Sequence, residues 1–590
     1  MENPSYINNF SEALLSEFYM RENDSIGKLF ERAALNYLPE HKQDLGQRIL
    51  EYIYKGWLMP SSPILSNSPA THEERLNAMP ISCFVLDLPD TVKGQLEANQ
   101  EIAALSVAGG GLGLVNEIRA VSKKAPGPIP YFKTVDAAIG YYKQAGSRRG
   151  SCAIYMDVSH PDIIEFIKIR IPVGDSARKI ENRKQVNNAV IITDDFIEAV
   201  INDLPWELKC PATGKVHEVV RARMIWEELL ETRAISGEAY IYFKDRANRT
   251  RPQGLKDKNL EIKSSNLCSE ILIPTNEERT AVCCLSSLNV EYFDEWKDTT
   301  IVEDAIEYLD YILQYFIDRA DKQHLSKAIY SATQCRSLGL GTMGFHYYLQ
   351  KNNIAFESGG FGSAVQANHK IYKHIKERAL AKSIQLGQEL GVAPDMEGYE
   401  DARRNVDLMA IAPNSNSGVI MQSSPSIDPL ARNIFAQTTR AGTYQVKNKY
   451  LEAILHDLAV ENNYDEEWVG EQWKSIDKHH GSVQHLAYLS EHQKQVFKTA
   501  YEIDQHWVVQ HADDRAQYIC QSQPVNLFFQ AGVDKAYFNS VHMKAMKSEF
   551  VKTLYYCRME SEVVTADSKS TVDATKLIDW KAEECVACSG

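Results

Sequence analysis

An α/β architecture, either a barrel or a doubly wound sheet, is predicted for residues 79–560 by two features of the chain. Short apolar runs rich in β-branched and aromatic residues recur between longer stretches of helical periodicity. That alternation continues to about residue 555 with no internal repeat and no low-complexity block, which is the pattern of strands packed between helices. The composition agrees, since 44% hydrophobic and 24% charged residues suit a chain that buries a large core.

Taken in order, residues 1–78 read as a helical region, carried by "FSEALLSEFYM", "IGKLFERAALNYL" and "LGQRILEYIYKGWL". "MPSSPILSNSP" ends it, because its prolines cannot sit inside a helix. The strand-like runs that follow are "ISCFVLDL", "SCAIYMDV", "NNAVIIT", "EAYIYF", "AVCCLSSLNV" and "NVDLMAIAP". The clearest helices are "VEDAIEYLDYILQYFIDRA" and "NHKIYKHIKERALAKSIQLGQEL". From residue 561 to 590 the chain turns polar and aperiodic, as expected of a flexible tail.

Charge and cysteine usage exclude several functions. A net charge of -15 argues against a general nucleic-acid surface and leaves room for a local basic pocket. No apolar run is long enough to span a membrane, and the polar, acidic start does not read as a secretory signal. Eleven scattered cysteines, an odd number, belong to a reducing compartment, so a cytoplasmic protein is expected.

The chemistry concentrates in two cysteine segments fifteen residues apart, "SSNLCSEI" with Cys268 and "AVCCLSSLN" with Cys283 and Cys284. On a strand, Asn266, Cys268 and Glu270 would share one face. A carboxylate beside a thiol raises the thiol pKa, which disfavours an ordinary thiolate nucleophile. Two readings of the triplet stand: an edge strand with an incidental cysteine, or a thiol used in another oxidation state with Glu270 as general base. The chain then ends in "ECVACSG", where Cys585 and Cys588 could be half a zinc site, a disulfide or a redox couple. One such pair supplies two of the four ligands of a structural zinc, and no partner pair is evident, so no metal site is expected.

"NLCSE" followed by "CCLSSLN" resembles the large catalytic subunit of ribonucleotide reductase, of the aerobic class I type that acts on ribonucleoside diphosphates. The same resemblance extends through "PSSPIL" with "SCFVL", "AGGGLGL", "RSLGLGTMGFHYYL", "APNSNSG", "KTLYYCR" and the terminal Cys-x-x-Cys, in the family's order from about residue 57 onward. It implies a ten-stranded α/β barrel of the ribonucleotide reductase and glycyl-radical-enzyme type, with a finger loop that bears Cys268. Cys268 matches the thiyl-radical cysteine, Glu270 the base for the 3′-hydroxyl and Asn266 the amide that holds the sugar hydroxyls. Cys83 and Cys283 match the reducing pair that ends as a disulfide, while Cys284, facing the other way on a strand, is assigned to packing. Cys152, Cys210, Cys335, Cys520 and Cys557 are expected as small buried hydrophobes. Cys585 and Cys588 then read as a shuttle that carries oxidation from the buried disulfide to thioredoxin or glutaredoxin.

Tyr555 and Tyr556 match a stacked pair that relays an oxidising equivalent from a separate radical-generating small subunit, where a di-metal site is expected. The pair favours the two-subunit branch over an adenosylcobalamin-dependent reductase, and the end "CSG" is not a glycyl-radical motif. Substrate contacts implied by the resemblance are Ser62, Ser82, Gly111 and the cradle Pro413, Asn414, Ser415, Asn416 and Ser417. The wording around Asn416 and in "SSPSIDP" departs from the commoner family pattern, which touches individual hydroxyl contacts but not a backbone cradle. The glycines 109, 110, 111 and 113 lack dinucleotide-fingerprint spacing and suggest close backbone approach to substrate. Asp90 and Arg119 match a specificity site for ATP or deoxynucleotide effectors, and "SRRGSC" (147–152) the loop that reads it out. The family's N-terminal activity module does not fit ahead of residue 57, so on/off control by dATP is expected to be absent or on the partner. A homodimer is implied as well. The rival from another class is a non-catalytic effector-binding homologue.

Overall fold

The computed structural model describes residues 3–142, 150–171 and 186–560, apart from residues 75, 77, 440 and 441. Three helices open the chain: α1 (Asn9–Phe18), α2 (Ile26–Leu35) and α3 (Gln43–Tyr54). The side chains of Asn8 and Ser25 cap the first two by accepting from backbone N–H groups of the first turn. A nine-stranded curled sheet follows, made of β1 (Leu58–Pro60), β2 (Cys83–Leu88), β3 (Gly111–Asn116), β4 (Cys152–Asp157), β5 (Val186–Ile192), β6 (Tyr240–Phe243), β7 (Ala281–Asn289), β8 (Leu338–Met343) and β9 (Thr553–Leu554).

Strands β2 to β6 lie side by side in chain order, all parallel. Each parallel step needs a crossover; α4 (Val92–Val107) joins β2 to β3, and α5 (Pro128–Tyr141) joins β3 to β4. β7 runs antiparallel to β2 with Cys283 opposite Cys83, and carries β8 in parallel. The expected α/β barrel sheet is therefore present, with nine regular strands among the described residues where ten were implied, and its two groups of parallel strands meet at the β2–β7 ladder.

Period-two alternation divides β2, β4, β6 and β7 between two cores. Cys83 and Val85 of β2, Ala153 and Tyr155 of β4, Tyr240 and Tyr242 of β6, and Ala281, Cys283 and Leu285 of β7 belong to an inner cluster. Their neighbours Phe84, Ile154, Ile241, Val282 and Cys284 face an outer core instead. That outer core also receives Phe30, Ile49 and Ile53 of the N-terminal helices, with the helices α6 (Ile301–Arg319) and α7 (Ala364–Leu390). Cys284 packs outward, as its strand position requires. A third cluster gathers residues Leu451 to Phe497, with Ile434 of the strand Ile434–Thr439, into a mainly helical lobe.

Two segments differ from expectation. The run 405–413 is extended but forms no regular strand. It bonds β8 through Leu338 N–H to Asp407 O and Leu340 N–H to Leu408 O, both 2.9 Å, and so continues the sheet beyond β8. Its own Leu408 and Met409 N–H groups go to the Cys520 sulfur at 3.1 and 3.2 Å, which breaks the ladder. The proline-rich stretch after β1 contains a one-turn helix, Ser62–Ser66, because Pro63 sits in its first turn, where no N–H is missed.

Three buried histidines make the fold acid-sensitive. Burial pushes His346, His511 and His542 down to about 3. Nδ1 of His346 accepts from Leu430 N–H, and Nε2 of His542 accepts from Arg233, so both rings are needed neutral. Their folded pKa values lie below the unfolded one, so their contribution is complete above the unfolded pKa and is lost as pH falls toward 3. Urea midpoints measured from pH 7 to 5 are expected to fall, each histidine contributing roughly 1 kcal/mol per pH unit below its unfolded pKa. His511→Asn should show a shallower pH slope than the parent; an unchanged slope would contradict the assignment.

Candidate active site

The inner cluster is filled from within by a loop between β6 and β7 whose tip carries Leu267, Cys268, Ile271, Leu272 and Ile273. The triplet 266–268–270 was expected to alternate along a strand. It instead forms a tight turn, with Ser269 at φ 65°. The cause is Asn266, whose Oδ1 accepts the backbone N–H groups of Glu270 (3.0 Å) and Ile271 (3.2 Å) in place of a strand partner. Ser269 N–H returns to Asn266 O at 3.2 Å.

Because Oδ1 is taken by two donors, the other end of the Asn266 amide must be Nδ2. It donates to Glu270 Oε1 (2.7 Å) and to Cys83 Sγ (3.0 Å), while Cys83 Sγ donates to the same Oε1 at 3.2 Å. Amide, carboxylate and thiol thus close a ring of hydrogen bonds within a fully buried site. Cys283 stands opposite Cys83 in register, and all of Cys83, Cys268 and Cys283 are reduced and buried. Burial pushes the Cys283 thiol well above its ordinary value; Gln521 lowers it, and Cys83 and Cys284 raise it further. Such a thiol stays protonated near neutrality, which suits hydrogen-atom and two-electron thiol chemistry more than thiolate attack.

Several residues that sequence reasoning missed hold this set in place. Gln521 accepts Leu272 N–H (2.9 Å) and donates to Leu338 O (2.9 Å), with Nε2 3.5 Å from Cys283 Sγ. Ser522 N–H donates to Glu270 O, and Thr553 Oγ1 to Ser269 O. Tyr155 donates to Asn266 O at 2.7 Å and lies 3.1 Å from Ser269 Oγ. None of these has a local signal, because each meets the loop across more than a hundred residues of chain.

Tyr555 joins the inner cluster and Tyr556 packs against it. Their rings are 4.3 Å apart but inclined at 59°, so the pair is tilted and not stacked as expected. Tyr240 accounts for the tilt by lying against both, 4.5 Å from Tyr555 and 5.2 Å from Tyr556. The pair also borders a cavity of about 160 Å³ whose wall includes Pro413, Asn414, Ser415 and Arg558. Relay candidates and cradle candidates therefore line one space.

The cradle is the entry to α8 (Ser415–Ile420), expected as a strand end leading into a helix. The Asn414 side chain is committed to Ser287 Oγ and Thr342 O, which leaves Ser415 and Asn416 as the partly exposed side chains and Ser417 buried. Ser62 Oγ lies 3.1 Å from Tyr19 Oη. Ser82 Oγ is buried with no hydrogen-bond partner among the described residues, beside Gly111, whose N–H donates to Ser82 O. Gly113 faces the loop: a Cβ there would lie 2.0 Å from Ser265 O, so this glycine admits the loop backbone, where approach to substrate was expected.

Asp90 and Arg119 meet at the ends of β2 and β3, with Arg119 N–H and Nε each 2.7 Å from the carboxylate. Burial raises Asp90, but Arg119 outweighs it and holds the carboxyl below its usual range. Of the five cysteines expected as plain packing groups, three do more. Cys335 donates to Asp395 at 3.1 Å, and Cys520 accepts two backbone N–H groups. Burial raises the Cys210 thiol, but hydrogen bonds from Thr213 and nearby backbone outweigh it and hold the thiol below its ordinary value. Ser147, Arg148, Arg149, Cys585 and Cys588 lie outside the described residues.

Comparison with known proteins bears on this geometry. The family model described as "Ribonucleotide reductase, barrel domain" matches residues 81–404 and 397–557. A Frog virus 3 protein provisionally named a ribonucleoside-diphosphate reductase large subunit is 41% identical over 98% of this chain and 97% of its own length. The ribonucleoside-diphosphate reductase large subunit of Invertebrate iridescent virus 3 is 36% identical over 99% of both. Among solved structures, the class Id ribonucleotide reductase alpha subunit of Actinobacillus ureae is similar with a TM-score of 0.81 and 32% identity, covering 95% of this chain and 98% of that one.

The glycine that admits the loop gives a direct check. Gly113→Ala is expected to destabilise by about 1–3 kcal/mol through overpacking against Ser265 and Asn266. Gly470→Ala, in the helix Glu466–Lys478 with nothing within 4 Å of its Cβ position, should be neutral or stabilising by up to about 1 kcal/mol. Chemical denaturation of the two variants tests this; equal stabilities would contradict the account of the loop.

Proposed function

The chain belongs to the large, catalytic subunits of ribonucleoside-diphosphate reductase, and on that premise we propose how its own residues divide the work. The enzyme replaces the ribose 2′-hydroxyl by hydrogen. Cys268, as a thiyl radical, takes the 3′ hydrogen, and Glu270 takes the 3′-hydroxyl proton while Asn266 holds the sugar hydroxyls. The C2′–O bond then breaks and the hydroxyl leaves as water with a proton from the Cys83–Cys283 pair. That pair supplies two electrons and two protons in all and ends as a disulfide, and Cys268 returns the 3′ hydrogen. The net change is ribonucleotide plus dithiol to deoxyribonucleotide, disulfide and water. The observation that carries this reading is the Asn266–Glu270–Cys83 ring, set across one ladder step from Cys283.

Tyr556 and Tyr555 pass the oxidising equivalent from the small, radical-generating subunit to Cys268, with Tyr240 against both rings. The entry to α8, with Pro413, Asn414, Ser415, Asn416 and Ser417, cradles the substrate phosphates with backbone N–H groups, and Ser62, Ser82 and Gly111 complete the substrate side. Cys585 and Cys588 reduce the active-site disulfide and hand the oxidation to thioredoxin or glutaredoxin. Asp90 and Arg119 take the nucleotide effector. A second copy of the chain covers α4 and α5, whose Val92 (75%), Leu96 (66%) and Tyr141 (79%) are exposed. No helix among the described residues is long and apolar enough to cross a membrane, and a cytoplasmic enzyme fits the eleven scattered cysteines.

The test is CDP reduction by the chain with its metal-loaded small subunit, a dithiol and ATP, run beside an arm with adenosylcobalamin alone. Activity is expected only with the small subunit, and cobalamin-supported turnover would overturn the relay. Cys268→Ala should abolish turnover under every reductant. Tyr556→Phe should reduce activity to background while substrate binding is kept. Replacing Cys585 and Cys588 by Ser should spare one turnover and block recycling by thioredoxin, with partial rescue by a small dithiol.

A further inference from the structure

The loop that carries Cys268 is gripped at its base by one cluster. Lys263, five residues before Cys268, puts Nζ 2.5 Å from Asp87 Oδ2 and 2.5 Å from Glu117 Oε1. Thr275, seven residues after Cys268, donates its hydroxyl to the other oxygen of Asp87 at 2.6 Å. The incoming leg is therefore fastened to the ends of both β2 and β3, and the returning leg to the end of β2. The Lys263 and Asp87 side chains are 24% and 11% exposed, while Glu117 lies at the open side of the cluster at 40%.

Those same two strand ends carry the Asp90–Arg119 pair. Asp90 follows Asp87 by three residues and Arg119 follows Glu117 by two. The ends are bonded to each other up to this point, since Asp87 pairs with Val115 and Glu117 N–H donates to Leu88 O at 3.1 Å. Arg119 meets Asp90 through its backbone N–H, Nε and a terminal guanidinium nitrogen. A phosphate that binds Arg119 competes with the Asp90 carboxylate for those donors, so occupancy alters the turn 87–90.

We propose that Lys263, with Thr275, is a specificity-coupling residue: it transmits nucleotide occupancy at Asp90 and Arg119 to the loop that positions Cys268. The inference rests on the effector reading of Asp90 and Arg119 given above. One ammonium bonded to both strand ends shares any change in their spacing with the base of the loop. The hydroxyl of Thr275 ties the returning leg to Asp87, the β2 side of the same pair. The coupling is a free energy between two sites, so it appears as a change in substrate preference and not in effector affinity alone.

The experiment uses the chain with its small subunit and offers CDP, UDP, ADP and GDP in competition, with and without dTTP. Binding of dTTP is measured separately by equilibrium dialysis. In the parent, dTTP should bind and shift the product ratios, and Arg119→Ala should weaken that binding. Lys263→Met is expected to bind dTTP within about twofold of the parent while the shift in product ratios shrinks about fivefold or more. Lys263→Arg should restore the shift, which a general loss of structure would not allow. Thr275→Val keeps both ion pairs and removes one hydroxyl, so it should lose part of the shift even if Lys263→Met fails to fold. A full shift in Lys263→Met or, should that variant not fold, in Thr275→Val, with dTTP bound as in the parent, overturns the coupling and leaves the effector site standing. Unchanged dTTP binding in Arg119→Ala overturns the effector site, and the coupling with it.

Discussion

A polar loop can occupy the inside of a barrel only if each donor and acceptor it brings there finds a partner, because an unmet buried polar group costs more than most contacts return. Everything around Cys268 follows from that constraint. Asn266 meets it locally by turning its side chain into the acceptor for two backbone N–H groups. Further backbone groups are met from distant parts of the chain: Tyr155 from β4, Gln521 and Ser522 from the segment before β9, and Thr553 from β9 itself. Gly113 provides the space, since a side chain at that position would collide with the loop backbone at Ser265 and Asn266. The loop's conformation is thus over-determined, which is what a reactive thiol needs if it is to meet a substrate atom in one geometry.

The same constraint ties the thiols to their chemistry. Low dielectric surroundings keep Cys283 protonated, and the ring of hydrogen bonds keeps Cys83 beside Glu270 and Asn266. A protonated pair across adjacent strands can give two protons and two electrons, and afterwards close into a disulfide without moving its strands far. The tyrosines belong to the same design. They sit where the inner cluster meets the cavity beside α8, so the residues proposed for the radical route and for the substrate cradle share one wall.

Much of the fold was legible because strands and helices carry their own periods. Cys83 and Phe84 alternate between inner and outer cores, as do Cys283 and Cys284, and the assignment of Cys284 to packing follows from that parity alone. Legibility failed where a side chain replaced a backbone partner. Asn266 bends its segment into a turn although the spacing of 266, 268 and 270 suits a strand, and Cys520 interrupts 405–413 in the same way. The cysteines, Glu270 and the tyrosine pair are singled out by the family resemblance of their motifs. Gln521, Tyr240 and Lys263 were not, because each acquires its meaning only from residues far away in the chain.

The central claim is that Cys83 and Cys283 are the pair consumed in one turnover, while Cys268 acts and is regenerated. It is tested most directly by quenching a single turnover in the absence of reductant, alkylating, and mapping disulfides by mass spectrometry, in a chain with Cys585 and Cys588 replaced by Ser. The account predicts one bridge, Cys83–Cys283, in proportion to dCDP formed, with Cys268 and Cys284 recovered as alkylated thiols. A bridge that includes Cys268 or Cys284, or dCDP formed with Cys83 and Cys283 both still reduced, would contradict it.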